Sequence, residues 1–245
     1  MALTDHLEEL RSRVIRVVVI LFVAFFVCYH FGPEIQDFLL VPLRKALGAD
    51  GKVVFLGLLD KVLTQFQLSF YAAIVVSSPL WFTQIWSFIK PGLYDNEVKL
   101  IRPFLFFSFV LFWLGVCFGY FIVFPFTFET ILSFGVQGIE ATMSLKDYII
   151  LASKVLVFLG VLFQLPNLLL ILGFMGLIDS RKLKDARRYV ITGFAVLSAV
   201  MTPPDPITMM ALWIPMVFLY EIGLWAVFFI VDPYKKRKNK DLEEA

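Results

Sequence analysis

Cysteine and histidine are scarce in this 245-residue chain, with two of each. Cys28 and Cys117 both fall inside apolar runs, where a thiol behaves as a small buried hydrophobe, so no disulfide framework is implied. His6 and His30 belong to no cluster with metal-ligand spacing. No histidine lies deep within an apolar run, which argues against a Ser–His protease acting in a membrane. The paired aspartates of an intramembrane aspartyl protease are missing too, since Asp205 is the only aspartate near the apolar interior. There is no GxxxxGK[ST] loop to cradle phosphates and no HExxH. Internal repeats, low-complexity tracts and a soluble domain are likewise missing. An enzyme and a cofactor are therefore not expected, nor is a nucleic-acid partner. Transport, recognition and assembly remain.

What the chain has in excess is apolar surface. It is 60% hydrophobic and 17% aromatic, against about 45–50% apolar residues in soluble chains. A protein core cannot absorb that surplus, so lipid is the expected solvent. A spanning helix needs about 20 mostly apolar residues. Six candidates result, at about residues 14–30, 62–89, 103–126, 145–177, 189–202 and 207–231. The first ends at HFGP without a small-residue cleavage site, so a removed signal peptide is not expected. Pro79 interrupts the second. SLKD opens the fourth, with Ser144 as the cap of a capping box. The last apolar stretch is too long for one span, and TPPDP at residues 202–206 divides it, because closely spaced prolines cannot continue a helix. The fifth piece then has about 14 residues, or roughly 21 Å, short of a hydrocarbon core of about 30 Å.

Charge sets the orientation. With the N-terminus inside, sixteen of the 22 Lys and Arg residues fall on inner segments, which predicts six spans and two cytoplasmic termini. The chain thus reads as one all-α membrane domain over residues 1–245. In the first outer loop, PEIQDFLLVPLRKAL puts Ile35, Phe38, Leu39, Leu43 and Leu47 near one helical face. That loop and the next, about residues 127–143, are expected to lie on the membrane surface or cap the helices. The five tryptophans are expected to face lipid or its interfaces.

A few polar residues carry a cost. HLEELRSR precedes the first span, with Glu9 and Arg13 at i, i+4 and Glu8 and Arg11 at i, i+3. Such pairs support an exposed helix by about 0.2–0.5 kcal/mol. FIKPGLYDNE, residues 88–97, is a Pro-Gly turn on the same side that ends in Asp95 and Glu97. The two acidic segments read either as solvated surface or as a shared site for a cationic guest such as arginine, which pairs bidentately with carboxylates. Glu221 in FLYEIGLW is the clearest intramembrane carboxylate and requires a partner or a proton. Gln164 lies mid-span just before Pro166, which frees the carbonyl of Leu162. It is either local backbone satisfaction or a polar foothold for a partner within the membrane. Lys154 reads as a snorkelling cation.

These segments together resemble the TatC family, the polytopic core of the twin-arginine protein translocase. The likeness runs almost end to end: HLEELRSR, PLRKAL, FIKPGLYDNE, GVLFQLP, MTPPDP and ALWIPMVFLYEIGLW. The resemblance implies a concave six-helix bundle with short fifth and sixth spans in the bacterial inner membrane. It implies a signal-peptide receptor that moves folded proteins using the proton-motive force. Its partners would be the single-span proteins TatA and TatB, twin-arginine signal peptides, lipid and further copies of the chain. Glu9 and Glu97 would receive the arginine pair, and Arg11, Arg13, Phe88, Pro91, Gly92, Leu93 and Tyr94 would shape that surface. Pro42, Gln164, Asp205, Met201, Met209 and Glu221 would serve partner contact and translocation. Two positions depart from the family pattern. Many members carry glutamate where this chain has Gln164, which cannot take up a proton. Met209 stands where some carry a polar residue. A small-solute transporter would instead show matched broken helices or a repeat, and a bare scaffold would leave the acidic positions freely replaceable.

Overall fold

Prolines and apolar runs dictate where helices start, bend and stop in this chain. The computed structural model describes residues 3–47, 52–89, 101–133, 142–202 and 206–234. It is built almost wholly of helices, with one short ribbon of two strands.

Among the described residues, four stretches are long and apolar enough to cross a membrane: Leu7–His30, Pro103–Phe128, Leu145–Phe174 and Pro206–Tyr234. A fifth arises if the bent pair Asp60–Val76 and Ser78–Ile89 counts as one span. The expected fifth piece, residues 189–202, forms the second half of the helix Ser180–Met201, whose first half is rich in cations.

The residues group into two units, Met1–Gly160 and Val161–Ala245. In the first unit, α1 (Leu3–His30) is one unbroken helix that already includes HLEELRSR. It packs against α3 (Asp60–Val76) and α4 (Ser78–Ile89), which meet at a 58° bend. Pro79 sits at that bend, where its missing N–H cannot continue the ladder. Ser77 hydroxyl donates to Ala73 oxygen at 2.6 Å, and Trp81 Nε1 donates to Ile74 oxygen at 2.9 Å, so the broken turn is re-bonded from within.

Helix α2 (Gly32–Leu47) forms in the first outer loop as expected, but it buries Leu39, Leu40, Pro42 and Leu43, while Phe38, expected on that face, is exposed. It lies on α6 (Phe124–Ser133) and α3. Between α5 (Ile101–Phe118) and α6, residues Gly119–Val123 form a π-helical turn. The turn closes when the N–H of Phe124 reaches Gly119 oxygen, five residues back. Pro125 follows at once. Its N has no hydrogen to give the Phe121 carbonyl, and widening the last turn lets the ladder end before the proline. The same device recurs at Val227–Val231, where Asp232 N–H reaches Val227 oxygen and Pro233 follows.

The strands β1 (Lys52–Val54) and β2 (Thr142–Ser144) pair in parallel. They lead into α3 and α7 (Leu145–Leu162). As expected from SLKD, Ser144 caps α7, accepting from the Asp147 N–H at 3.3 Å. Lys146 Nζ meets Asp60 Oδ1 at 2.9 Å, tying the two helix starts together.

In the second unit, α8 (Leu165–Phe174) takes Pro166 in its first turn, where the missing N–H costs nothing. It ends at Gly176, whose φ of 81° lies in the left-handed region open to glycine. The Leu177 N–H returns to Leu172 oxygen at 3.1 Å. Asp179 then caps α9 (Ser180–Met201), accepting from Lys182 N–H at 2.8 Å. Helix α10 (Pro206–Ala226) runs back antiparallel to α9. The core of this unit holds Leu169, Leu183, Tyr220, Leu224, Val227 and Val231.

Two expectations are corrected. Trp81, Trp86, Trp113 and Trp213 all donate their indole N–H within the protein, and only Trp225 among the five is exposed. Where an apolar stretch carries serines and a bend frees carbonyls, those polar groups claim the indole N–H before the lipid interface can. Cys28 is buried as expected, but Cys117 is exposed on α5.

Candidate functional site

The polar residues of interest fall in two places, one in each unit. In the first unit, Phe25 and Tyr29 near the end of α1 meet Phe66, and Gln65 Nε2 donates to Tyr29 oxygen at 3.1 Å, so α3 starts beside the C-terminal end of α1 and runs back along it. The chain then turns at Ser77 and α4 continues along α1. The Glu9 end of α1 and the Phe88 end of α4 therefore share one end of this unit.

Of the two ion pairs expected in HLEELRSR, one forms. Arg13 Nε and a terminal nitrogen of Arg13 both donate to Glu9 Oε1, the former at 3.0 Å. Glu9 is 27% exposed and Arg13 20%. Both donors use the same oxygen, so the second carboxylate oxygen of Glu9 stays open to another donor among the described residues. Glu8 and Arg11 point outward and make no ion pair among the described residues. Phe88 is half-buried in the last turn of α4. Pro91, Gly92, Leu93, Tyr94 and Glu97 lie outside the described residues.

Pro42 explains a second cluster in the same unit. A proline in a helix interior removes the N–H that would bond four residues back. That carbonyl belongs to Phe38, and the Tyr120 hydroxyl donates to it at 2.7 Å. The Tyr148 hydroxyl donates to the adjacent Leu39 carbonyl at 2.6 Å. The Tyr120 and Phe38 rings also stack, 4.5 Å apart and 4° from parallel. No periodicity in the sequence pointed to either tyrosine. The freed carbonyl four residues before Pro42 was the usable signal.

In the second unit, Gln164 stands immediately before α8, with its backbone oxygen accepting from Leu168 N–H at 2.8 Å. Its side chain does not cap the helix. Glu221 has the partner its burial demanded: Arg187 Nε lies 2.6 Å from its Oε1. Glu221 is 22% exposed and Arg187 54%. The guanidinium N–H is not aligned on that oxygen, so charge, more than a directed hydrogen bond, holds the pair. Met201 ends α9 and Met209 lies in the first turns of α10, both half-buried. Asp205 lies outside the described residues.

Glycines set how closely helices approach. A Cβ on Gly223 would come within 2.6 Å of a Leu169 methyl and 3.1 Å of Pro166 Cα. One on Gly119 would meet methyls of Leu159 and Leu156 at 2.7 and 2.9 Å. Small residues at such crossings let backbones pack where lipid offers no hydrophobic drive.

The family model described as Sec-independent protein translocase protein (TatC) matches residues 5–215. Among curated relatives, the TatC of Magnetococcus marinus is 38% identical, over 99% of this chain and 88% of its own. That of Escherichia coli K12 is 30% identical, over 97% and 92%. A crystal structure described as the twin arginine translocase receptor TatC superposes with a TM-score of 0.83 at 30% identity, covering 90% of this chain and 96% of its own. The same receptor in the detergent DDM gives 0.85 at 29%, covering 91% and 99%.

Proposed function

The chain belongs to the TatC family of Sec-independent protein translocase proteins, and from that membership we propose that it is the translocase's receptor for twin-arginine signal peptides. It is a multi-pass protein of the bacterial inner membrane. In this reading it has six spans, with α9 as the short fifth, and both termini face the cytoplasm.

One observation carries the receptor reading: Glu9 is a half-buried carboxylate with one oxygen engaged and one open. Arg13 already balances its charge, so a guest with two guanidinium groups needs further acid. Glu97, which follows the Phe88 end of α4 in sequence, supplies it. The guanidinium fork matches carboxylate geometry better than an ammonium. Arg11, Arg13 and the turn from Phe88 through Pro91, Gly92, Leu93 and Tyr94 shape the walls.

No phosphate-binding motif occurs in the sequence, so the reading assigns the driving force to the proton-motive gradient. Gln164 hydrogen-bonds a polar residue of a TatA or TatB helix but carries no proton itself. The segment Met201 to Leu212, with Asp205 and Met209, and the Glu221 position are the contact surface for those partners. Pro42 keeps the first outer segment in the shape that assembly requires, and several copies build the transport path.

The test is binding of a twin-arginine signal peptide to purified protein, beside the same peptide with both arginines replaced by lysine. Tight binding of the first alone, lost in Glu9→Ala and in Glu97→Ala, is the expected result. Equal binding of both peptides, or normal binding by both variants and by their double, would overturn the reading.

A further inference from the structure

We propose that the second unit carries a binding site for the headgroup of an anionic phospholipid, at the charged end of the α9–α10 hairpin. The first nine residues of α9 hold five cations, Arg181, Lys182, Lys184, Arg187 and Arg188, against one carboxylate, Asp185. Most of these cations are occupied. Lys182 Nζ donates to Leu177 oxygen, Arg187 pairs with Glu221, and Arg188 lies over the Tyr189 ring. Arg181 has no ion-pair, hydrogen-bond or ring partner among the described residues, and Lys184 meets only the Phe228 ring.

Both line a cleft of about 600 Å³, walled by Phe228 and Phe229. A second cleft of about 320 Å³ shares Lys184 and Phe228 with it and adds Trp225. Two carboxylates line the larger cleft as well, each held by a neutral donor, Asp179 by the Lys182 N–H and Asp232 by the Ser180 hydroxyl, so the positive excess at this end comes from the five cations of α9 taken together. Lys184 Nζ sits 5.2 Å from the centre of the Phe228 ring, so an apolar wall holds the ammonium at the cleft. A phosphodiester fits this chemistry: one negative charge and several acceptors facing two unpaired cations.

The lipid source follows from what adjoins the cleft. Ile214, Phe218, Ile222, Trp225 and Phe229 are all exposed and recur every three or four residues, so they form one stripe along α10. The stripe spans roughly 22 Å at 1.5 Å per residue, more than the roughly 15 Å half of a hydrocarbon core, so it offers an acyl chain an apolar track through a whole leaflet. Trp225 stacks on Phe229 with ring centres 5.6 Å apart, at the level where indoles meet headgroups. A cation pair at the head of an apolar track suits a lipid and gives a soluble phosphate nothing for the track.

The full-length protein, delipidated in detergent, would be titrated with phosphatidylglycerol and with phosphatidylcholine of the same chains, and bound lipid counted by native mass spectrometry. Wild type should favour the anionic lipid. Arg181→Gln with Lys184→Gln should lower that preference by about 25-fold, or about fivefold for each cation, while Lys154→Gln leaves it unchanged. Trp225→Ala should weaken both lipids alike and keep their ratio. The proposal fails if wild type shows no preference, or if Lys154→Gln reduces it as much as the double substitution. Displacement of the lipid by glycerol phosphate at equal concentration would also overturn it, marking a site for free phosphate esters.

Discussion

Removing one hydroxyl tests whether Pro42 and Tyr120 act as a unit. The Phe38 carbonyl has no helical donor because residue 42 is proline, and the Tyr120 hydroxyl supplies the bond at 2.7 Å. Tyr120→Phe deletes that oxygen alone, keeping the ring that stacks on Phe38. A buried carbonyl left without a donor costs about 1–3 kcal/mol. In a Pro42→Ala background the N–H of residue 42 returns to the same carbonyl, so the hydroxyl becomes redundant and its removal should cost about 0.5 kcal/mol or less. The two substitutions should thus couple by about 1–2 kcal/mol. Tyr148→Phe is the control. It serves the Leu39 carbonyl, whose helical donor, Leu43, has its N–H in either background, so its cost should not depend on residue 42. Reversible unfolding in mixed micelles, followed by far-ultraviolet circular dichroism, measures all of these. An equal cost for Tyr120→Phe in both backgrounds would show that the tyrosine does not replace the missing N–H, and the reasoning would be wrong.

Four further substitutions probe the second unit, with one in the first for comparison. Gly223→Ala should cost about 1–3 kcal/mol by overpacking, and more than Gly119→Ala. The new methyl meets the Pro166 backbone at 3.1 Å, whereas at Gly119 it meets only leucine ends that can turn aside. Leu169→Ala should rescue Gly223→Ala only in part, and the same unfolding assay orders the series. Arg187→Ala should destabilise by about 1–2 kcal/mol, because it strands the Glu221 carboxylate. That is below the cost of a charge at mid-membrane, since half of Arg187 faces outward. Adding Glu221→Gln should recover most of the loss; a double variant as unstable as Arg187→Ala alone would show that the pair's charge is not what matters.

Much of the architecture was legible because proline and capping residues act locally. Pro79 marked the bend and Ser144 the start of α7, each through a donor or acceptor a few residues away, whereas the start of α8 beside Pro166 fell within a span expected to run from 145 to 177. Of the face expected over residues 35–47, spacing found Leu39 and Leu43, but Phe38 is exposed and Leu40 and Pro42 are buried beside them. The need of Glu221 for a partner followed from its apolar neighbours. Its identity did not, because Arg187 reaches it only once α9 and α10 pair, and five cations in that stretch were equally plausible. The family motifs were readable in full, yet most of the acidic turn they define, residues 90–97 with Glu97, lies outside the described residues.

The misread tryptophans carry a more general point. In a chain this apolar, the assignment of aromatics to the lipid boundary rests on their having no better partner. Here the bend at Pro79 frees carbonyls, Pro42 frees that of Phe38, and Ser78 and Ser108 add hydroxyls to otherwise greasy helices. In a medium without water such groups draw donors from side chains. Trp86 to Ser108 at 3.0 Å and Tyr120 to Phe38 oxygen are the result. Trp213 at Ile191, Tyr148 at Leu39 and Tyr220 at Leu183 add a second donor to carbonyls within helices. Polar-tipped aromatics therefore stitch this protein's helices together through backbone carbonyls and serine hydroxyls. Trp225, which has no such group facing it, is the one left at the surface, beside the cations of α9.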